Sequence, residues 1–463
     1  MAEQGHTVKK SASLPDGIET PRRYWAVATL MLALTASVLD ATMANVALPT
    51  IAHDLGIDPA AVMWVVIAYS LMVVVSLLPL SAVAERIGFR RMFGLGITVF
   101  MLSSLFSALS TTLYGLTAGR IAQGLGAAML MCLFGGLIRN IYPVRKLGFG
   151  ISLNAMTVGF MSVLGPSIGA FILEFASWRW IFAINIPFCL LAYFGIRFLP
   201  DVPRNIVRFD WFACALSVLV FGFSVIGLDS LAVAPLSGLA CIAVAVVAAL
   251  VLVRHSRGQT APIVPIDLLR ITTVAFAIAA SVFSFAAQMS AFVALPFYFQ
   301  KILGLGYVDI GILLGVWSLG VVIMAPIAGY MADKFPVAIL CGLGALGMAL
   351  GLLWVIMLPL TAHLYWLMGA MLLAGVGFGF FQTPNNRAIL GGAPRKRSGA
   401  AGALQATTRV FGQSAGTALV ALAFTVSSVN GAMFGIIVAV SCSLAAVVIN
   451  VVRYYSPAPD LEI

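Results

Sequence analysis

The sequence predicts an all-α polytopic membrane protein, and three observations carry that prediction. Of 463 residues, 62% are hydrophobic and only 9% charged, with a mean hydropathy of +1.07. A soluble domain carries about 25% charged residues, so a water-soluble enzyme, a nucleic-acid binder and a disordered chain are excluded. The charges sit in short tracts between apolar runs of about 20 residues, the length that crosses a hydrocarbon core as a helix. Those runs lack the apolar/polar alternation of a membrane-spanning strand.

Fourteen runs qualify, at residues 24–48, 61–83, 92–112, 114–138, 148–174, 179–199, 210–229, 233–253, 272–299, 310–331, 336–358, 364–388, 399–425 and 430–453. Basic tracts punctuate them at every second boundary. The opening tail holds Lys9, Lys10, Arg22 and Arg23; Arg86, Arg90 and Arg91 follow span 2; Arg139, Arg145 and Lys146 follow span 4. Arg197, Arg204 and Arg208 follow span 6, then Arg254, Arg257 and Arg270 follow span 8. Lys334 follows span 10, Arg387, Arg395, Lys396 and Arg397 close span 12, and Arg453 closes span 14. Of 26 Lys and Arg, only Arg179 and Lys301 fall in loops of the opposite side, while Arg120 and Arg409 lie within spans. The positive-inside rule therefore puts both termini in the cytoplasm, and the cytoplasmic (inner) membrane is the expected location.

A repeat divides the runs. After span 2 the chain reads Pro79…Ser81-x-x-x-Glu85-Arg86-x-Gly88-x-Arg90-Arg91, and after span 10 Pro326…Gly329-x-x-x-Asp333-Lys334. Equivalent loops imply two copies of six spans. The expected organisation is a cytoplasmic tail 1–23, a six-helix bundle 24–199, a linker 200–271 with two extra spans, a second bundle 272–453 and a tail 454–463. Two parallel repeats about an axis normal to the membrane are the architecture of secondary transporters. The six cysteines are scattered through apolar runs and no Cys/His spacing suits a metal or a disulfide framework. No GxxxxGK[ST] loop is present, which argues against ATP as the energy source.

Several motifs then resemble one family, the major facilitator superfamily, and within it the fourteen-span drug:proton antiporters. Span 1 carries Leu39-Asp40-Ala41-Thr42-Met43-Ala44-Asn45-Val46-Ala47-Leu48-Pro49. The span 2 loop is similar to the superfamily's loop motif, with Ser81 for Gly, Glu85 for Asp and Phe89 for Arg. Span 4 gives Arg120-x-x-Gln123-Gly124-x-Gly126-Ala127-Ala128, and span 5 gives Gly165-Pro166-x-x-Gly169-Ala170, the antiporter motif, with Met161 where Gly is usual. Trp178-Arg179-Trp180-Ile181-Phe182 with Asn185-x-Pro187 resembles the opening of span 6, and Gln382-Thr383-Pro384-Asn385-Asn386-Arg387 resembles the methyl-viologen-resistance branch. The resemblance implies a major facilitator fold and a monomeric, proton-driven exporter with no bound cofactor. Its expected cargo is lipophilic, often cationic compounds such as quaternary ammonium ions and dyes. An exporter of an endogenous lipid or metabolite, and an uptake permease, are the alternatives; an enzyme is not expected.

Asp40 is the one acid placed deep within a span. A carboxylate there must be paired or protonated, so it is the candidate proton carrier. At 1.5 Å per residue it lies roughly 12 Å below the far end of span 1, and Arg120 roughly 9 Å below that of span 4, which makes Arg120 its candidate partner. Gln123 shares the Arg120 face. On span 13, Gln405, Arg409 and Gln413 form a polar stripe, with Arg409 roughly 15 Å from the cytoplasmic end. Two readings of Arg409 stand: a cavity wall, or a polar seam between helices. Gln382, Asn385 and Asn386 make a second polar face beside Pro384. Asn45, Gln288, Trp64, Tyr69 and Trp317 complete the expected cavity set, Trp64 and Tyr69 because they match the subfamily's span 2 pattern. Ser81, Glu85, Arg86, Gly88, Arg90, Gly329, Asp333 and Lys334 are expected to form conformational locks, Glu85 with Arg86 and Asp333 with Lys334. Gly165, Pro166 and Gly169 are expected to set a bend and a close helix approach. Packing is also expected of the GxxxG pairs at Gly311, Gly375 and Gly412.

Overall fold

The structure is a computed structural model that describes residues 17–57, 59–62, 64–202, 210–231, 234–257, 259, 265–359, 363–394, 397–427 and 430–456. Every element among them is helical. The N-terminal half comprises α1 (Arg22–Leu55), α2 (Pro59–Val62), α3 (Trp64–Ile87), α4 (Phe89–Leu109), α5 (Leu113–Ile141), α6 (Leu147–Phe175), α7 (Arg179–Ala183) and α8 (Asn185–Gly195). A hairpin of α9 (Trp211–Ser230) and α10 (Pro235–Ser256), then the short α11 (Ile266–Leu269), follow. The C-terminal half comprises α12 (Thr272–Lys301), α13 (Tyr307–Ala332), α14 (Val337–Met357), α15 (Leu364–Gly392), α16 (Ser398–Val426) and α17 (Gly431–Tyr455). Thirteen helical segments of the described residues are long and apolar enough to cross a membrane, α7 and α8 counting together as Arg179–Phe198. The run expected as span 5 forms the 29-residue α6, whose described apolar stretch is Leu147–Met161.

Local chemistry sets the turns. Gly88 alone separates α3 from α4 and has φ 97°, a conformation that a Cβ strongly disfavours. Gly56 caps α1 at φ 62°, its N–H reaching His53 O at 3.3 Å while Ile57 N–H reaches Ala52 O at 3.0 Å. Thr112 opens α5 by accepting from Gly115 N–H at 3.2 Å, and Asp210 opens α9 by accepting from Ala213 N–H at 2.9 Å.

In the N-terminal half α5 packs between α3 and α4, and α1 lies on α6 and α8; in the C-terminal half α15 packs on α13 and α14, and α12 on α16 and α17. Lipid offers helices no hydrophobic gain, so small residues at the crossings do the work. A Cβ on Gly126 would stand 2.6 Å from Phe100 N, and one on Gly344 2.5 Å from Phe381 N. Gly169 against Met43, Gly379 against Val321 and Gly412 against Val282 pack as expected. Gly311 does not: open space surrounds it.

The halves meet where α6 crosses α13 and α15, and where α16 crosses α3 and α5. α9 lies against α3 and α16, so the extra hairpin covers that second seam from outside. Contact between the halves is uneven along the bundle. At the end bearing the basic tracts, Phe89, Leu133 and Leu137 share one core with Leu390, Ala400 and Ala403. At the far end each half keeps its own core, around Met43, Ile51 and Phe182 in one and Leu295, Phe299 and Leu313 in the other. The basic end is therefore the closed end.

Candidate functional site

Four helices converge on Asp40. α1 brings the carboxylate, α5 brings Arg120 and Gln123, α4 brings Ser104 and α8 brings Asn185; all five side chains are fully buried. Arg120 donates from Nη1 to Asp40 Oδ2 at 2.6 Å and to Gln123 Oε1 at 2.7 Å, and from Nε to the Val65 carbonyl at 2.9 Å. Asp40 Oδ1 accepts from Gln123 Nε2 at 2.7 Å and from Asn185 Nδ2 at 2.8 Å. Gln123 Nε2 also reaches Ser104 Oγ at 2.8 Å. The guanidinium stacks over the Tyr69 ring at 4.2 Å and near the Phe182 ring at 5.5 Å. Burying such a pair is tolerable only when hydrogen bonds replace the lost water, and here both carboxylate oxygens are supplied. Arg120 Nη2 and Asn185 Oδ1 remain without hydrogen-bond partners, so the network is not saturated.

The structure thus pairs Asp40 with Arg120, and it adds two ligands that sequence reasoning missed. Ser104 carried no signal among the many serines of the apolar runs. Asn185 carried one, an amide at the opening of span 6 beside Pro187.

A second feature lies between the halves. A narrow cavity of about 30 Å³ is walled by Ser37 on α1, Phe134 on α5, Asn154 on α6, Gln382 on α15 and both Gln405 and Arg409 on α16. Arg409 therefore faces the cavity rather than a helix seam. It makes no hydrogen bond or ion pair among the described residues, and its Nε is buried without an acceptor. Several expected wall residues stand elsewhere. Gln123 and Tyr69 belong to the Asp40 network, although Tyr69 is also within electrostatic range of Arg409. Asn385 donates to the Ala277 carbonyl at 2.9 Å and to Ser281 Oγ at 2.7 Å, tying α15 to α12. Trp317 is wholly buried within the C-terminal half, edge-on to Phe292 with its backbone against Gly375, because that glycine admits α13. Trp64 is half-exposed at the start of α3, and Gln288, Asn386 and Gln413 do not reach the cavity walls. The side chains of Asn45 and Pro166 lie outside the described residues.

The third feature is the lock at the basic end. Glu85 does not close on its neighbour Arg86. Its Oε1 accepts from Ala400 N–H at 3.0 Å and its Oε2 faces Arg397 Nη1 at 3.4 Å, across the seam between the halves. Arg397 also holds Asp267 through two bonds of 3.0 Å. The pairing follows from geometry, since adjacent helical residues point about 100° apart. Asp333 likewise turns from Lys334 to Arg387, in a contact of 2.8 Å too misaligned for a hydrogen bond, while Lys334 rests on the ring and hydroxyl of Tyr330. Ser81 is buried and donates to the Leu78 carbonyl at 2.8 Å, within its own helix. Arg90 is half-buried in the first turn of α4. Gly329 and Gly148 bring α13 and α6 into backbone contact, a Cβ on Gly329 falling 2.7 Å from Gly148 O.

Known proteins share this plan. The chain is 41% identical over 447 residues, 96% of its length and 98% of the relative's, to the uncharacterized transporter YebQ of Escherichia coli strain K12. It is 30% identical to the riboflavin transporter RibZ of Clostridioides difficile strain 630, over 86% of this chain and 87% of that one. It is 28% identical to the multidrug efflux pump LfrA of Mycolicibacterium smegmatis, over 89% and 83% of the two chains. Among solved structures, the proton:xylose symporter XylE superposes with a TM-score of 0.66 at 14% identity, covering 94% of this chain and 96% of its own. The profile of the Major Facilitator Superfamily matches residues 30–417. Two helical bundles closed at one end around a central cavity, read together with that match, make this multi-pass membrane transporter a member of the major facilitator superfamily.

Proposed function

We propose that this transporter is a proton-coupled exporter of amphipathic organic compounds in the cytoplasmic membrane. It works by alternating access, with both termini on the cytoplasmic side and no bound cofactor. The observation that carries the reading is Asp40, a carboxylate sealed from solvent and satisfied only by Arg120, Gln123 and Asn185. Such a group alternates between two states, charged and matched to Arg120, or neutral and released from it. Protonation at Oδ2 removes the charge that holds Arg120. Arg120 then keeps only Gln123 and the Val65 carbonyl, so the tie between α1 and α5 weakens. Rocking of the halves must also break the Glu85–Arg397–Asp267 lock. The network touches only the N-terminal half, whereas the cavity is walled by both, so proton and cargo occupy separate places. Similarity to the efflux pump LfrA supports export.

Reconstitution in liposomes tests this. With an imposed pH gradient, the protein should drive movement of at least one probe from a panel of ethidium, riboflavin and 1-pyrenebutyrate. Asp40→Asn should lose gradient-driven movement and keep gradient-free exchange of the same probe. Undiminished gradient-driven movement in Asp40→Asn overturns the proton role. Similarity to a riboflavin transporter favours a second reading, a carrier dedicated to one flat metabolite; movement of riboflavin alone would select it.

A further inference from the structure

The structure assigns the central cavity to a monoanionic amphiphile: Arg409 is a counter-ion waiting for the acidic head group of the cargo. The inference rests on the reading that this cavity holds the cargo, and it reverses the cationic preference that the subfamily resemblance implies.

Three observations converge. First, Arg409 projects into the cavity from mid-helix with no hydrogen bond or ion pair among the described residues, and with its Nε buried. Arg120, the other cation buried near the centre among the described residues, is matched by Asp40. A guanidinium is permanently charged and presents a planar fork suited to a carboxylate or phosphate. A charge left without a partner at such depth is expensive, and a residue of this kind in a membrane interior marks a ligand pathway.

Second, no acid is among the described residues that line the cavity. Asp40, the one acid at comparable depth, has zero exposure, and both its oxygens are engaged within the N-terminal half. It therefore offers a cationic cargo nothing. The described lining carries one positive charge, that of Arg409, and one negative charge on the cargo balances it.

Third, the rest of the lining specifies what surrounds the head group. Gln382, Gln405 and Asn154 present amides that can donate to the remaining oxygens of an acid. Leu30, Phe93 and Phe134 offer apolar and aromatic surface for the body. Tyr69, stacked under Arg120, is also within electrostatic range of Arg409.

Binding to the purified protein in detergent tests the assignment without any pH gradient. The probes are 1-pyrenebutyrate, 1-pyrenebutanol and 1-pyrenebutylamine, which share one body and carry a negative, neutral or positive head. Equilibrium dialysis against protein-free micelles removes the partition background. A unit charge roughly 6–8 Å from Arg409 at an effective dielectric near 20 predicts that the acid binds about thirtyfold to a hundredfold tighter than the alcohol. The amine should bind weaker than the alcohol by a similar factor. Arg409→Gln should bring the acid to the affinity of the alcohol and change the alcohol less than about twofold. Arg409→Lys should keep most of the preference. Equal binding of the three probes to the unsubstituted protein overturns the inference, and so does tightest binding of the amine. Parallel losses of acid and alcohol in Arg409→Gln overturn it as well. Should Arg409→Gln fail to fold, the order of the three probes on the unsubstituted protein and on Arg409→Lys decides. An intact acid preference with no gradient-driven transport would remove the proton-coupled reading and leave this one standing.

Discussion

Closure of the basic end depends on Glu85, and its replacement by Gln isolates the charge from the shape. Gln keeps the volume and can still accept from Ala400 N–H, the 3.0 Å bond that Glu85 makes. What disappears is the charge facing Arg397 at 3.4 Å, between side chains only 8% and 10% exposed. Two unit charges about 4 Å apart at an effective dielectric near 20 attract by about 4 kcal/mol before desolvation is counted. Desolvation of the carboxylate offsets most of that, and Arg397 keeps both 3.0 Å bonds to Asp267. The net cost to the closed state is about 1–2 kcal/mol, a shift of about 5- to 30-fold toward the state open at that end. Ser398 is a suitable reporter, because it is 2% exposed at the start of α16 and small enough to become Cys without strain. With the six native cysteines replaced, maleimide labelling of Ser398→Cys should accelerate by that factor when Glu85→Gln is added. Equal labelling rates in the two backgrounds, at equal melting temperature, would refute the lock.

Other substitutions probe single parts of the structure. Arg120→Lys keeps the charge but cannot reach Asp40, Gln123 and the Val65 carbonyl together; it should lower stability by about 2–4 kcal/mol, read as a drop in melting temperature. Asp210→Ala removes the cap that α9 takes from its 2.9 Å bond and should cost about 1 kcal/mol, whereas Asp210→Asn should lose only a fraction of that. Asp54, on the far end, is held below the usual carboxylate range by the Trp178 indole N–H at 2.8 Å and then by Arg179. Its folded pKa is depressed, so its contribution is present above the unfolded value of about 4 and lost as pH falls below it. The melting temperature should therefore fall more between pH 5 and pH 3 for the unsubstituted protein than for Asp54→Asn.

How much of this was legible in the residues depends on dimension. Hydropathy is a property of position along the chain, so the helices could be read directly, and so could depth, because helical rise is fixed. Depth alone brought Asp40 and Arg120 to one level. Rotation about each helix axis and the choice of neighbouring helices are not written along the chain, and there the reading failed. Trp317 has the composition of a cavity aromatic, yet its helix is turned so that it packs against Phe292. Asn385 shares a face with Gln382 by spacing, yet the two part company: Gln382 lines the cavity and Asn385 bonds α12. Glu85 has Arg86 beside it in the chain, and its partner stands 312 residues away. Arg409 shows the same limit from the other side. Its sequence neighbours Gln405 and Gln413 suit a seam as well as a wall, and only the third dimension separates them, with Gln405 on the cavity and Gln413 off it. A polar residue in a membrane helix therefore announces that it needs a partner; whether that partner is another helix, as for Asn385, or absent from the described chain, as for Arg409, is what the fold decides. The second case is the one that points beyond the protein to its cargo.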